Sequence, residues 1–335
     1  MAIATYKREI ATDYCKKFSN ASTMAISRML LNEHPFDFKT FDNARSMVRA
    51  CRGEKAKSQA GNATVEKRSE LEKKQFMNQT FTMPESDYKE LQPIQLAKAC
   101  SNVLFLSDIH LPYQDNEALK IALDYGKSEK VNAIYLNGDT MDMYQASRYA
   151  KDRRLRDLGG ELDLTRNFLK ELRDQFQVPV YYKMGNHEER WENFLKLNAP
   201  EMLGINDFEL SSLLRFSELG IIEVKSKQTS YAGKLALLHG HEFGHSVFSP
   251  VNPARGLYMR AKECSIIGHH HQTSEHSEKS LSGDVVTTWS VGSLCGLRPE
   301  YLPNNKWNHG FAHITINKDQ SYEVNNMRII EGKIR

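Results

Sequence analysis

No stretch of the sequence approaches 18 uninterrupted apolar residues, so a membrane-spanning helix is not expected. The opening residues also lack the apolar core of a secretory signal. The expected address is therefore the cytoplasm, or the host cytoplasm for a viral chain. Cysteine is scarce and scattered: Cys15, Cys51, Cys100, Cys264 and Cys295 are odd in number and include no CxxC pair. That is a pattern of reduced thiols, not of a disulfide framework. With 19 glycines and 10 prolines in 335 residues, a fibrous or low-complexity chain is excluded. The net charge of +3 by itself points to no partner. What remains is a globular chain whose length, at about 150 residues per domain, suits two domains. Such a chain can bury a core without disulfide or metal staples.

Charge and histidine are unevenly placed within it. Residues 1–60 carry 11 Lys/Arg against 6 Asp/Glu, and 7 of the 12 histidines fall between residues 239 and 276. Neutral imidazole is the commonest metal ligand and a ready acid or base, so that density is a functional prompt. Residues 1–53 read as three helices, over 6–18, 23–33 and 40–53. Ser22 is placed to cap the second, Pro35 to stop it and Gly53 to end the third. Arg45, Arg49 and Arg52 recur at i, i+4, i+7 and form a basic stripe opposite Ala44, Met47 and Val48. Two readings stand side by side: a helix-turn-helix-like module whose last helix lies in a DNA groove, or a small helical bundle with solvated arginines. Residues 54–98 form a polar, Lys/Glu-rich linker, partly helical around 65–76.

Residues 99–335 alternate between strand and helix patterns. Short apolar runs at 103–106, 133–136, 178–182, 235–238 and 266–267 each end in a polar block. Helical patterns at 116–127 and 162–176 lie between them, and 285–290, 311–316 and 322–330 read as further strands. Open α/β sheets carry their sites at the carboxyl ends of strands. There the chain places Asp108-x-His110, Gly138-Asp139-x-x-Asp142, Gly185-Asn186-His187-Glu188, His239-Gly240-His241 and Gly268-His269-x-His271. Each block alone is weak. Five in order, each at a strand end, are not. Gly138, Gly185, Gly240 and Gly268 are expected to allow the tight turns that aim these residues at one point.

The ordered set resembles the calcineurin-like metallophosphoesterases, over roughly residues 100–315. The resemblance implies an α/β fold, a four-layer β-sandwich flanked by helices, here preceded by a small all-α N-terminal domain. It implies a dinuclear metal site, with Asp108, His110 and His271 on one ion, Asn186, His239 and His269 on the other, and Asp139 bridging both. A shell of imidazole, carboxylate and amide oxygen without Cys favours Mn, the first expectation, or Fe, Zn or Ni, over Ca. Two such ions about 3.5–4 Å apart bind a phosphate and turn a bridging water into hydroxide for in-line attack. The family's G-N-H-E histidine acts as general acid, oriented by the second Asp of G-D-x-x-D; here these are His187 and Asp142. A departing alkoxide needs a proton, and a carboxylate keeps an imidazole charged and correctly turned. For Asp142, a helix N-terminal carboxylate serving only stability is the competing reading.

His241 resembles the second His of the family's H-G-H block, expected at the phosphate or behind a ligand. His270 reads as a non-ligand, and His245 and His276 as loop histidines. Arg148 and Arg190 follow the second and third blocks, as a phosphate clamp or as partners in surface salt bridges. The protein Ser/Thr phosphatase branch has G-D-x-V-D-R-G and R-G-N-H-E; here Met143-Tyr144 follows Asp142, and Met184 precedes Gly185. Both signature arginines are absent. The remaining resemblance is to the exonuclease- and phosphodiesterase-like side of the superfamily, of bacterial or phage type. With the basic N-terminus, this predicts a phosphodiesterase or nuclease acting on nucleic acid, DNA before RNA. Trp289, Tyr301 and Trp307 are offered either for base stacking or for the core. Two rivals stand: an enzyme of nucleotides or small phosphoesters with a protein-binding N-terminus, and a nucleic-acid-binding protein whose phosphoesterase domain is idle.

Overall fold

The computed structural model describes residues 2–53, 83–148, 157–244 and 251–335. The expected helical stretch of the linker at 65–76, and His245, lie outside them. The chain divides into two compact units, Met1–Tyr88 and Lys89–Arg335.

The first unit holds α1 (Ala2–Lys17), α2 (Thr23–Glu33) and α3 (Phe41–Cys51). Their ends follow local chemistry. Ser22 Oγ accepts from Ala25 N at 3.2 Å, and Thr40 Oγ1 accepts from Asn43 N at 3.3 Å, so each satisfies an orphan first-turn donor. Ala11, Cys15, Ile26, Leu30, Phe38, Ala44 and Val48 are buried together. Residues 34–40 separate α2 from α3, against the about three to four residues of a helix-turn-helix turn, and Phe38 within them is part of the core. The basic stripe is also shorter than expected. Arg52 donates to Ala21 O at 2.5 Å and to Thr23 Oγ1 at 3.2 Å, tying the end of α3 to the α1–α2 connection. Its guanidinium serves the unit's own scaffold; Arg45 is exposed and Arg49 half-buried.

In the second unit the strands are β1 (Ile94–Gln95), β2 (Asn102–Leu106), β3 (Ala133–Asn137), β4 (Val180–Lys183), β5 (Ile221–Val224), β6 (Ser230–Ala232) and β7 (Leu235–Leu237). They continue with β8 (Ser265–Ile267), β9 (Ser274–Lys279), β10 (Val285–Ser290), β11 (His309–Ile316), β12 (Tyr322–Ile330) and β13 (Lys333–Ile334). The helices are α4 (Asn116–Ser128), α5 (Leu158–Phe176), α6 (Glu189–Asn198), α7 (Leu210–Leu213), α8 (Phe216–Leu219) and α9 (Pro253–Ala261). One sheet runs β13-β12-β11-β2-β3-β4-β5, with β2 to β5 parallel; the other runs β1-β6-β7-β8-β10-β9.

The central strands are buried on both sides, and their residues alternate between two cores. Val103, Phe105 and Tyr135 face the second sheet and pack with Leu235, Leu237 and Ile266. Leu104, Leu106, Ile134 and Leu136 face away from it and pack with Leu119 of α4 and Leu169 of α5. Beyond the second sheet, Leu257 of α9 packs on Leu238 and Ile267. The order is helix, sheet, sheet, helix: the four layers expected. His276, read as a loop histidine, instead lies on edge strand β9, paired with Glu278 at 2.9 Å. Trp289 is buried between the sheets, its ring 6.2 Å from Tyr322, so its role is packing.

Candidate metal centre

Five adjacent strands deliver the five polar blocks. β2, β3 and β4 are neighbours in one sheet and β7 and β8 are neighbours in the other, and each block begins where its strand stops. The turns are tight. Asp108, His110, Asp139, His269 and His271 all have φ between 49° and 62°, the left-handed region that non-glycine residues seldom occupy. Such backbone persists only where surrounding structure enforces it, and it gathers at functional sites. The glycines divide the labour in two ways. Gly138 and Gly240 adopt positive φ, as expected, but Gly185 and Gly268 do not. A Cβ at Gly185 would lie 2.3 Å from Asp139 Oδ1, and one at Gly268 would lie 1.8 Å from Ser107 Oγ. These two are needed for close approach, not for the turn.

The side chains converge. His271 Nε2 lies 3.1 Å from Asp108 Oδ1 and 3.3 Å from His110 Nε2, which is 3.9 Å from Asp139 Oδ2. On the other side of Asp139, His239 Nε2 is 3.2 Å from Oδ2 and 3.1 Å from Asn186 Oδ1. Asp139 thus belongs to two groups that could each hold a cation, one with Asp108 and His110 and one with His239 and His269.

The imidazoles fit metal ligation because their outer nitrogens are already engaged. His239 Nδ1 pairs with Asn137 O at 2.6 Å, His110 Nδ1 with Asp142 Oδ1 at 3.1 Å and His271 Nδ1 with Cys295 Sγ at 3.8 Å. In each, Nε2 faces the centre. The electrostatics agree. Burial alone would raise the Asp139 carboxyl, yet His239 and His187 hold it well below the ordinary carboxylate range. Burial works against a charged His239, but Asp139 overrides it and pushes the imidazole up to about 10; Asp108 does the same for His271. Carboxylates this buried and this strongly ionised require cations beside them, which suits a divalent-ion site.

Other expected residues take defined places. Asp142 faces two imidazoles, since its Oδ1 is also 3.3 Å from His187 Nδ1. His187 Nδ1 pairs with the Asp142 carbonyl at 2.7 Å, and Arg190 Nη2 meets His187 Nε2 at 2.8 Å. Arg190 Nη1 donates to Asp142 O at 2.8 Å, so this arginine of α6 belongs to the site. His241 sits beside His239, ring centroids 5.3 Å apart, with Nε2 2.8 Å from Ser226 Oγ. Its Nδ1 is buried without a hydrogen bond, 3.8 Å from Glu242 Oε2. Arg148 is exposed after the short helical turn of residues 144–146.

Two contributors escape sequence reasoning. Glu188, inside the recognised G-N-H-E block, accepts from the main-chain N–H of Asp139, Thr140, Met141 and Gly185 and from the Tyr182 hydroxyl, at 2.8–3.2 Å. It clamps the loops that carry Asp139 and Asn186 together; its place in the block was the available signal. Cys295, taken as one of several reduced thiols, stands behind His271, and nothing near it in the sequence marks it.

The calcineurin-like phosphoesterase family model matches residues 101–292, more than half of the chain. The chain belongs to the calcineurin-like phosphoesterase family. It is a metal-dependent phosphoester hydrolase. It is 28% identical over 226 residues to the Gene 54 protein of Mycobacterium phage L5, covering 64% of this chain and 88% of that one. The Gene 54 protein of Mycobacterium phage D29 is 27% identical over 228 residues, with the same coverage. Both fit the phage-type expectation. Among solved structures, a dimetal phosphatase from Danio rerio aligns at 12% identity, TM-score 0.37, covering 69% of this chain and 96% of that one. Yfce, a phosphoesterase from E. coli, aligns at 15% identity, TM-score 0.33, covering 67% and 98%. Among the described residues, no helix of this phosphoesterase is long and apolar enough to cross a membrane.

Proposed function

We propose that this phosphoesterase is a phosphodiesterase or nuclease acting on nucleic acid, DNA before RNA, in the host cytoplasm of a phage. One observation carries the preference for diesters. Met143 is fully buried and Met184 nearly so, at the two positions where the resembling protein phosphatases carry phosphate-gripping arginines. A phosphomonoester brings two negative charges and rewards such cations; a diester brings one. The basic face of Arg45 and Arg49 supports a polyanionic partner.

In this reading Asp108, His110 and His271 hold one divalent ion, Asn186, His239 and His269 the other, with Asp139 shared. Mn is the first expectation for both. When bound, the ions supply positive charge to the phosphoryl oxygens and lower the pKa of water for attack. The protein residues do the rest. Asp142 turns His110 toward the centre and, through its carbonyl, fixes His187 Nδ1. His187 Nε2 is then the atom that delivers a proton to the departing oxygen. Arg190 now donates to that same nitrogen, which therefore holds a lone pair; once Arg190 leaves, Nε2 takes a proton from water and can then act as the acid. An arriving phosphate offers the guanidinium better acceptor oxygens. Arg190 therefore both binds phosphate and releases the acid.

Hydrolysis of bis-p-nitrophenyl phosphate with Mn²⁺, lost in Asp139→Asn, tests the chemistry. Persistence of cleavage in that variant would sink it, and absence of cleavage in the native protein would favour an idle domain. A panel of linear and circular DNA, RNA, cyclic nucleotides and phosphomonoesters tests the substrate. Salt-dependent DNA binding that Arg45→Glu/Arg49→Glu removes supports the polymer reading; turnover of nucleotides alone overturns it.

A further inference from the structure

The chain leaves the metal centre after Cys295 and returns to it at Asn308, and the segment between is built as a strap. At one foot, Leu294 N donates to Asp108 O at 3.1 Å and Gly296 N to Tyr113 O at 2.9 Å. At the other, Asn308 N donates to His271 O at 2.9 Å. Both feet therefore stand on loops that carry proposed metal ligands. Asn305 closes the strap from inside: Nδ2 donates to Leu297 O and Leu302 O at 2.7 and 2.8 Å, and Oδ1 accepts from Trp307 N at 2.9 Å. A segment with this many internal bonds holds its side chains in fixed positions.

Two of those side chains are aromatic, Tyr301 and Trp307. The Trp307 ring lies 4.1 Å from the His271 ring, centroid to centroid, tilted by 58°, and Tyr301 lies 6.4 Å beyond it. Tyr301 is 77% exposed, yet desolvation and then the negative charge of Asp142 push its hydroxyl up to about 12.

We propose that Trp307 and Tyr301 form a stacking platform at the edge of the metal centre, which determines specificity by binding a planar nucleobase on the ester group next to the scissile phosphate. The chemistry follows from position. A phosphate held between the two groups of ligands places its ester substituents beside His271, whose ring packs against the Trp307 indole. Every base has a π-face, so an indole platform favours bases over sugars or aliphatic groups without choosing among bases. The platform deepens the nucleic-acid reading, but it requires only a base-bearing phosphate.

The test compares adenosine 5′-monophosphate with ribose 5-phosphate, binding to the Mn²⁺-loaded full chain being measured by calorimetry. The native protein is expected to bind the adenosine compound about tenfold more tightly. Trp307→Ala is expected to abolish that preference while leaving ribose 5-phosphate affinity within about twofold of native, and Trp307→Phe to keep most of it. Tyr301→Ala is expected to give a smaller loss, about threefold. Equal weakening of both ligands by Trp307→Ala would show that the indole merely props His271, and would overturn the platform. So would an unchanged preference in that variant, or no preference in the native protein. A protein that keeps the Trp307-dependent preference yet cleaves neither DNA nor RNA retains the platform and loses the polymer reading. Cleavage of nucleic acid without any Trp307 dependence does the reverse.

Discussion

In one half of the centre, His110 and His271 are aimed by side chains, Asp142 and Cys295; in the other, His239 is aimed by a main-chain carbonyl, that of Asn137. The supports behind the two halves differ in the same sense. Behind His239, Glu242 accepts from the N–H of His239 and Gly240 and pairs at 3.0 Å with Lys183. The Lys183 ammonium, fully buried, donates to the carbonyls of Lys225, Ser226 and Gln228. That half is tied into the scaffold of β4 and the loop after β5. The Asp108–His110–His271 half leans on individual side chains, each replaceable without dismantling a strand. One half is therefore tunable by substitution, and the other is coupled to folding.

The widest break should come from the residue the halves share. Asp139→Asn is expected to abolish binding at both positions and to reduce hydrolysis of bis-p-nitrophenyl phosphate to background; a variant still binding two Mn²⁺ by calorimetry would contradict a shared carboxylate. Next in size, Lys183→Met leaves the Glu242 charge buried and unpaired. It should cost about 3–5 kcal/mol in urea unfolding, because a buried charge stripped of its partner keeps its desolvation penalty. A loss below about 1 kcal/mol would show that the second half is not anchored through this pair.

The first half should respond differently. Asp142→Ala is expected to weaken one metal-binding event by about 10- to 100-fold and leave the other intact, as for groups that orient a ligand from behind. Cys295→Ala should do the same at the low end of that range, with stability nearly native. If both binding events weaken together in either variant, the halves are not separable. The smallest effect concerns pH. Burial, then the charges of Asp142 and Glu188, push Glu161 from 4.5 up to about 7, although it accepts from Met143 N. Because the folded protein holds this proton more tightly than the unfolded chain, the contribution of Glu161 to stability is greatest below about pH 4.5 and is lost as pH rises through about 7. Glu161→Gln should flatten that slope in denaturation midpoints taken between pH 5 and 8, without altering metal stoichiometry.

The five polar blocks were legible because chemistry at strand ends must be spelled in local residues: a ligand loop needs its Asp, His and Gly within a few positions of the strand that aims it. The helices over 23–33 and 116–127 were legible for similar reasons, the first through its Ser22 cap and both through their apolar spacing. Strands such as β5, β6 and β9 were not. Short and partly exposed, they gain their pairing from a neighbouring strand and not from their own pattern. β1 lay inside what read as linker, because two residues carry no periodicity of their own. Nor did the sequence show that Arg52 folds back on Ala21, that Trp289 is core while Trp307 lies against His271, or that Cys295 stands behind a ligand. Each of these depends on a partner 24 or more residues away.

The sequence by itself determined the donor types and their order, and with them the divalent-metal phosphoester chemistry, because the identity of a ligand is a property of one residue. Only the tertiary structure decided which nitrogen of each imidazole faces the centre, which half is held by backbone and which by side chains, and what lines the approach to the phosphate. Orientation is a relation between residues brought together by packing. The absences noted at the outset gain a sharper meaning from it: the scattered cysteines form no framework, but one of them, Cys295, is placed where a single thiol steadies His271.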